Sequence, residues 1–282
     1  MILIADSGST KTEWALIKQK NDIEIFLTSG INPFFQSPGE IANLLLKERF
    51  LDHPTEVKSV FFYGAGCANE EKCQLVKEGI SNVVRSNHIE IGSDLLAAAH
   101  ALCQSNPGIA CILGTGSNSC YYDGSKIIQN VSPLGYILGD EGSGAVIGKL
   151  LIADILKKQI PQSVINLFFD TYRVTQAELL DRVYKQPFPN RYLAQFTKFI
   201  SSNIHIGELE NLVIHSFSNF ITRNLLQYPD VATQSIHFTG SIAYHFKEQL
   251  EKTLAQHHLS LGTIEKAPMQ NLIQYHLQNE KW

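Results

Sequence analysis

The stretch Asp6-Ser7-Gly8-Ser9-Thr10-Lys11-Thr12-Glu13-Trp14 decides the reading of this fold. The apolar run Ile2 to Ala5 leads into it, and the alternating "TEWALIK" (residues 12–18) leads out. Together they read as a strand, a tight turn of small polar residues and a second strand. In such a turn successive backbone N–H groups form a concavity for an anion, which larger side chains would block. Ser9, Thr10 and Thr12 add hydroxyl donors. Asp6, at the strand end, is well placed to hold a hydrated Mg²⁺ that bridges phosphate oxygens. For one turn alone, an ordinary hairpin with its Asp satisfying backbone donors is the simpler reading.

A second turn changes that balance. "LGTGSNSCYY" (residues 113–122) again sets small residues between an apolar strand and an aromatic-bearing one, and Gly116 follows Gly8 by 108 positions. The period is too long for a solenoid. It suits a duplicated domain whose halves face each other and grip one ligand from both sides. The pattern between the turns agrees. "IEIFLTSG" (23–30), "VKSVFFYGAG" (57–66) and "HIEIGSD" (88–94) read as strands. "SPGEIANLLLKERFL" (37–51), "EEKCQLVKEGISNVV" (70–84) and "DLLAAAHALC" (94–103) read as helices. After a third strand, "KIIQNV" (126–131), helices are expected over 141–160, 162–172, 175–185, 189–202 and 207–227. "SIHFTGS" (235–241) and "LSLGTIEK" (259–266) then read as strands, each followed by a helix.

Composition bounds the function. The 282 residues are 44% hydrophobic and 18% charged, a globular composition. A net charge of -4 without long single-sign runs argues against a nucleic-acid surface or a polybasic membrane anchor. No stretch reaches the roughly 18 apolar residues of a membrane span. "MILIADSG" lacks the basic region and cleavage signature of a signal peptide. Five cysteines, an odd number with no CxxC pair, read as reduced thiols of a cytoplasmic protein. Cys67 and Cys73 read as buried or incidental thiols rather than a redox pair. His205, His215, His237, His245, His257, His258 and His276 show no metal-ligand spacing.

Two familiar phosphate cradles are excluded. "SGAVIGKL" (143–150) falls short of a P-loop, because Ser143 stands for its first Gly and Leu150 for its final Ser or Thr, and the segment reads as helix. No GxGxxG follows the first strand.

Five motifs in order carry a resemblance. "DSGSTKT" and "LGTGSNS" resemble the two phosphate hairpins of the actin-like ATPases, and "FTGSIA" (238–243) their adenosine motif. "GSDLLAAAHA" (92–101) and "GDEGSGAVIG" (139–148) narrow the resemblance to the N-acetylglucosamine kinases and their relatives, a family that also includes the ATPases serving benzoyl-CoA reduction. The resemblance implies an α/β fold of two ribonuclease-H-like domains with an interdomain nucleotide cleft. Residues 1–105 would form the first domain, with the C-terminal helix 268–282 packing back on it. Residues 106–267 would form the second, with a helical insertion.

The family also implies roles. Thr10 and Thr115 would touch ATP phosphates, with Gly8, Ser9, Gly114 and Gly116 supplying backbone, while Gly240 and Ser241 border the adenosine. Asp94 matches the catalytic base. Asn32 matches an Asn that binds the sugar, and Ser117, Asn118, Gly135, Tyr136 and Asp140 fall on further sugar contacts. Asp94 also sits where a helix begins, so an N-cap role is compatible with the base role. Asp140 and Glu141 precede another helix, where capping competes with hydrogen bonding to sugar hydroxyls; Glu141 is not expected to be a base.

The resulting expectation is an ATP- and Mg²⁺-dependent kinase acting on a hydroxyl of N-acetylglucosamine or a related amino sugar. The sequence leaves open an ATPase activator of a redox partner and a kinase-fold sugar sensor. The expected partner is a small-molecule sugar, not nucleic acid or membrane, and a homodimer is left open.

Overall fold

The computed structural model describes residues 1–8, 11–48 and 56–279. Ser9 and Thr10, on which part of the first hairpin's expected role falls, lie outside the described residues.

The chain divides into two compact units, residues 1–105 with 268–282, and residues 106–267. The first holds β1 (Ile2–Ser7), β2 (Lys11–Gln19), β3 (Asp22–Ser29), α1 (Pro38–Lys47), β4 (Glu56–Gly64), α2 (Glu70–Ser81), β5 (Arg85–Ser93) and α3 (Asp94–Cys103). Its sheet runs β3-β2-β1-β4-β5, antiparallel between β1 and β2 and between β2 and β3, and parallel from β1 to β4 to β5.

The second unit repeats this plan. It contains β6 (Pro107–Leu113), β7 (Ser117–Asp123) and β8 (Ile127–Val131), then α4 (Gly135–Leu138), α5 (Gly144–Leu156), α6 (Gln162–Tyr172), α7 (Gln176–Tyr184), α8 (Pro189–Ala194), α9 (Thr197–Ser202) and α10 (Gly207–Arg223). It ends with β9 (Ile236–Thr239), α11 (Ser241–His245), α12 (Lys247–Gln256) and β10 (Leu261–Glu265), and α13 (Met269–Asn279) belongs to the first unit. The sheet order β10-β9-β6-β7-β8 is that of the first unit, with β6, β7, β8, β9 and β10 in the places of β1, β2, β3, β4 and β5.

The near-continuous apolar runs of β1 and β6 follow from burial on both faces. Side chains alternate across a strand. Leu3 and Ala5 of β1, Trp14 and Leu16 of β2, and Val60 and Phe62 of β4 therefore share one core with Ile41 and Leu45 of α1 and Val76 and Ile80 of α2. Ile2 and Ile4, Ala15 and Ile17, and Phe61 and Tyr63 point the other way, onto Ala97 and Ala101 of α3 and Met269, Leu272 and Ile273 of α13. Trp14 is fully buried, and its indole N–H donates to Thr28 Oγ1 at 2.8 Å, so its one polar atom is satisfied.

The helical reading needs correction where one expected helix is two, over 189–202 and again after β9, where α11 and α12 stand. The helix expected over 189–202 is two helices, α8 and α9. Around Leu193–Phe199 the backbone bonds tighten to three-residue spacing, with Phe196 N–H on Leu193 O at 3.1 Å and Phe199 N–H on Phe196 O at 3.1 Å. That pattern belongs to a tighter helix and divides the element. α5 packs closely on α8 there, for a Cβ at Gly148 would stand 2.0 Å from Leu193 O. The P-loop-like "SGAVIGKL" is the start of α5, with Ser143 as its N-cap accepting from Val146 N–H.

Candidate functional site

In the first unit the hairpin residues converge on one buried hydroxyl. Gly8 N–H donates to Lys11 O at 3.0 Å and closes the turn. Behind it Ser7 Oγ lies 2.7 Å from Thr12 Oγ1 and accepts Ile31 N–H at 3.1 Å. Ser7 and Thr12 are both 0% exposed. Ser7 therefore ties the hairpin to the segment that carries Asn32. This contact was not anticipated, and the position of Ser7 within "DSGST" was its only signal. Asn32 is 8% exposed, with its backbone N–H on Gln36 Oε1 and its own Oδ1 accepting Phe34 N–H at 2.9 Å. Gly66, just past β4, fits against it: a Cβ there would lie 2.6 Å from Asn32 Oδ1 and the backbone has φ +90°.

Asp6 and Asp94 mark the same edge of the sheet. Asp6 pairs with Tyr63 of β4, Tyr63 pairs with Gly92 of β5, and Asp94 follows β5 directly. Two strand spacings separate β1 from β5, roughly 10 Å. The charges still interact: burial pushes the Asp6 carboxyl up to about 7, and the negative charges of Asp94 and Glu13 push the same way, against Lys11. Burial also raises the Asp94 carboxyl, opposed by the Leu95 backbone N–H that Asp94 Oδ1 accepts at 2.9 Å. The N-cap expected of Asp94 is supplied instead by Ser93, whose Oγ accepts Leu96 N–H at 3.1 Å. Asp94 is the first residue of α3, free of the capping duty and at the positive end of a helix. Cys67, buried beside this edge, has its thiol pushed up to about 12 by burial and by the charges of Cys73 and Asp94. It is a poor nucleophile.

A partly buried carboxylate pair, with Lys11 offsetting the Asp6 charge, suits a divalent cation. Among the described residues no group of three or more His, Cys, Asp or Glu side chains could enclose one. Mg²⁺ keeps several waters and takes one or two carboxylates together with substrate phosphates.

In the second unit Gly114 N–H donates to Gly116 O at 2.9 Å, while Gly114 O and Thr115 O accept from Gly144 and Ala145 at the start of α5. Asp140 stands against this turn. Its Oδ1 accepts Ser117 N–H at 3.3 Å, and a Cβ on Gly116 would meet its Oδ2 at 3.2 Å. Burial raises its carboxyl, the Ser117 amide lowers it, Glu141 raises it and Lys149 lowers it. Neither Asp140 nor Glu141 caps α5, since Ser143 does. Glu141 instead pairs with Arg223 and accepts from Asn224. Asn118 Oδ1 accepts from Asn130 Nδ2 at 2.9 Å. Gly135 and Tyr136 lie in α4, linked to the same region because Lys149 Nζ donates to Tyr136 O at 2.6 Å. Thus Ser117, Asn118 and Asp140 come together at the hairpin, with Gly135 and Tyr136 one loop away.

Gly240 makes a close approach that only glycine allows. Its φ is +115°, and a Cβ would stand 2.4 Å from Leu113 O at the entrance to the hairpin. Beside it opens a cavity of about 660 Å³ lined by Gly114, Thr115, Ser241, Ile242, His245 and Phe246, and across from them by Arg191, Gln195, Lys198, Ser201 and Ser202 of α8, α9 and their junction. That volume lies in the range of small-molecule sites. The hairpin and the "FTGSIA" turn thus line a single cavity. The α8–α9 wall was missed in the sequence, where residues 189–202 read as one helix.

Two duplicated five-stranded sheets, each opening on a small-residue hairpin, define a protein of the actin-like ATPase class. The crystal structure of the "Putative N-acetylglucosamine Kinase" from Porphyromonas gingivalis matches at 44% identity, with 99% of both chains covered and a TM-score of 0.92. The chain belongs to the N-acetylglucosamine kinase-like family. Two more distant structures share the fold alone. One is another "Putative N-acetylglucosamine Kinase", from Chromobacterium violaceum, at 17% identity over 97% and 98% of the chains with a TM-score of 0.72. The other is MreB 5 of Spiroplasma citri, in a complex with AMPPNP, at 11% identity over 98% and 94% with a TM-score of 0.55. No family model and no curated protein matches the chain. No helix among the described residues is long and apolar enough to cross a membrane.

Proposed function

We propose that the protein is an ATP-dependent kinase that phosphorylates a hydroxyl of N-acetylglucosamine or a related amino sugar. The observation that carries this reading is Asp94. It is a partly buried carboxylate relieved of capping by Ser93, at the sheet edge that also holds Asp6 and Asn32, in a chain related over its length to a protein bearing that name.

Phosphoryl transfer asks for positioning, charge stabilisation and an acceptor for the hydroxyl proton. In this reading Asp94 takes that proton as the sugar oxygen forms its bond to the γ-phosphorus and the bond to the bridging β,γ-oxygen breaks. The raised carboxyl makes Asp94 a stronger base than a solvated Asp. Gly8, Ser9 and Thr10 in one unit, and Gly114, Thr115 and Gly116 in the other, offer backbone and hydroxyl donors to phosphate oxygens. Gly240 and Ser241 border the adenosine, with Ser241 in the lining of the second unit's cavity. Asn32, Ser117, Asn118, Gly135, Tyr136 and Asp140 serve the sugar. Mg²⁺, held by Asp6 through its waters, would neutralise phosphate charge.

A panel of N-acetylglucosamine, N-acetylmannosamine, glucosamine and glucose with MgATP tests the reading through ADP release. Sugar-dependent release with an N-acetylated sugar preferred is expected. ATP hydrolysis indifferent to every sugar would sink the reading and favour the ATPase-activator alternative.

A further inference from the structure

We propose that Arg223 and Asn224, at the end of α10, are positioning residues that act through Glu141 to hold the Asp140 turn against the second hairpin. The kinetic part of this inference rests on the kinase reading, and the conformational part stands without it.

The turn is costly for the chain to adopt. Asp140 has φ +55° and Gly142 has φ +75°, so two of three consecutive residues are left-handed, and Asp140 carries a side chain there. Such backbone persists where the surroundings over-determine it. From one side, Asp140 N–H is held by Pro133 O at 2.8 Å and Asp140 O by Ser143 N–H at 3.0 Å. From the other side the support comes from α10 and its C-cap residue Asn224, with Leu113 also against Gly142. Gly142 N–H donates to Ser216 Oγ at 3.2 Å, and a Cβ on Gly142 would lie 3.0 Å from Phe220 Cβ. Glu141, between the two left-handed residues, has both oxygens engaged: Oε1 pairs with Arg223 Nε and Oε2 accepts Asn224 Nδ2 at 3.3 Å.

Ser216, Phe220, Arg223 and Asn224 are spaced i, i+4, i+7 and i+8, so a single stripe of α10 backs the turn. Asn224 Nδ2 also donates to Phe220 O at 3.2 Å, which locks it to the helix end. Arg223 lies in the last turn, where a cation is favoured by the helix dipole. The opposite side of the same turn touches the hairpin, through the Ser117 amide on Asp140 and the Gly144 and Ala145 amides on Gly114 and Thr115. Residues 139–145 therefore bridge α10 to the hairpin. The Arg223–Glu141 pair is too exposed on its arginine side, at 61%, to matter much for global stability. Its consequence is local, in where Asp140 stands.

The test combines hydrogen exchange and kinetics on the full chain. Arg223→Met should speed amide exchange in peptides covering 114–118 and 139–145 while the melting temperature changes little. It should lower kcat by about 10-fold. Arg223→Lys should recover part of both effects, because an ammonium restores the charge without the guanidinium geometry. Glu141→Gln should mimic Arg223→Met, and the double variant should be no worse than the poorer single one. Unchanged exchange, strictly additive kinetic losses, or a fall in melting temperature alone would each overturn the inference. If the wild type turns over no sugar, the kinase reading fails while the exchange measurement still decides whether Arg223 holds the turn.

Discussion

Asp6 and Asp94 stand at one edge of the first sheet, on β1 and just after β5, on either side of β4, and the charge of Asp94 raises the Asp6 carboxyl. The two carboxylates are the negative centre to which a cation and a hydroxyl proton would both be drawn.

Asp94→Asn should abolish transfer while leaving fold and ligand binding in place. The cap belongs to Ser93, so the helix start survives, and an amide oxygen can still accept the Leu95 N–H. What is lost is the proton acceptor, and general-base catalysis is worth about 10²–10⁴-fold in kcat. Because burial raises the Asp94 carboxyl, the acid limb of the wild-type pH–rate profile should lie above the range of a solvated Asp. Sugar-dependent ADP release with calorimetric affinities measures both. A normal kcat in Asp94→Asn removes Asp94 from the mechanism.

Asp6→Asn should trade activity for stability. A carboxyl raised from 3.8 to about 7 binds a proton more tightly folded than unfolded. Stability from this group is therefore present at low pH and lost as pH rises through 7, by up to about 4 kcal/mol for a shift of that size. In metal-free protein at pH 8, Asp6→Asn should melt higher than wild type and the two should converge near pH 4, while the variant's Mg²⁺ requirement for turnover rises. A lower melting temperature at pH 8 would show that Asp6 is instead held by favourable contacts.

Much of this was legible because it is written in local pattern. The strands follow from apolar runs, and the duplication follows from two turns of similar make-up. The long-range partners were not legible. Nothing marks Ser93 over Asp94 as the cap, since both residue types serve equally well and only the backbone angles of Ser93 decide. Glu141 reads as a capping acid and is a tether, because its partners Arg223 and Asn224 lie more than 80 residues on. The α8–α9 wall escaped because a break set by tertiary packing against Gly148 leaves no Gly or Pro in the sequence at Gln195–Phe196.

Gly240→Ala should damage the cavity of the second unit more than the size of the substitution suggests. The new methyl would need both a φ of +115° and a place 2.4 Å from Leu113 O, the carbonyl that leads into the hairpin. Strain of this kind costs about 1–3 kcal/mol before the clash is counted. Relief by moving the 113–114 backbone would shift Gly114 and Thr115. The variant should fold less stably and bind ATP more weakly, with sugar affinity nearly kept, as calorimetry with each ligand would show. Equal loss for both ligands would place Gly240 outside a nucleotide-specific role.

The last prediction concerns acid stability and α13. Tyr63 on β4 places its hydroxyl 2.9 Å from His100 Nδ1 of α3 and 3.0 Å from His276 Nε2 of α13. One hydroxyl can donate to one imidazole and accept from the other, so the ring that receives the tyrosine proton must be uncharged. Both rings are buried, His100 at 5% exposed and His276 at 2%, stacked on Tyr275 and Phe61 respectively. Burial pushes His100 down to about 4 and, with His100 as neighbour, His276 down to about 3. The unfolded chain takes up these protons near 6.5 and the folded one resists them. The stability is therefore present above 6.5 and is lost progressively as pH falls towards 4. Between pH 7 and pH 5 each histidine should remove about 2 kcal/mol. Urea denaturation at the two pH values should show the drop, and His276→Leu should flatten it while freeing less stability at pH 5 than it costs at pH 7, since the bond to Tyr63 is also lost. Hydrogen exchange should show α13 opening first, because the buried His276, with Met269, Leu272 and Ile273, ties it to the sheet. A pH dependence that His276→Leu leaves unchanged would mean that carboxylates elsewhere set the acid limit.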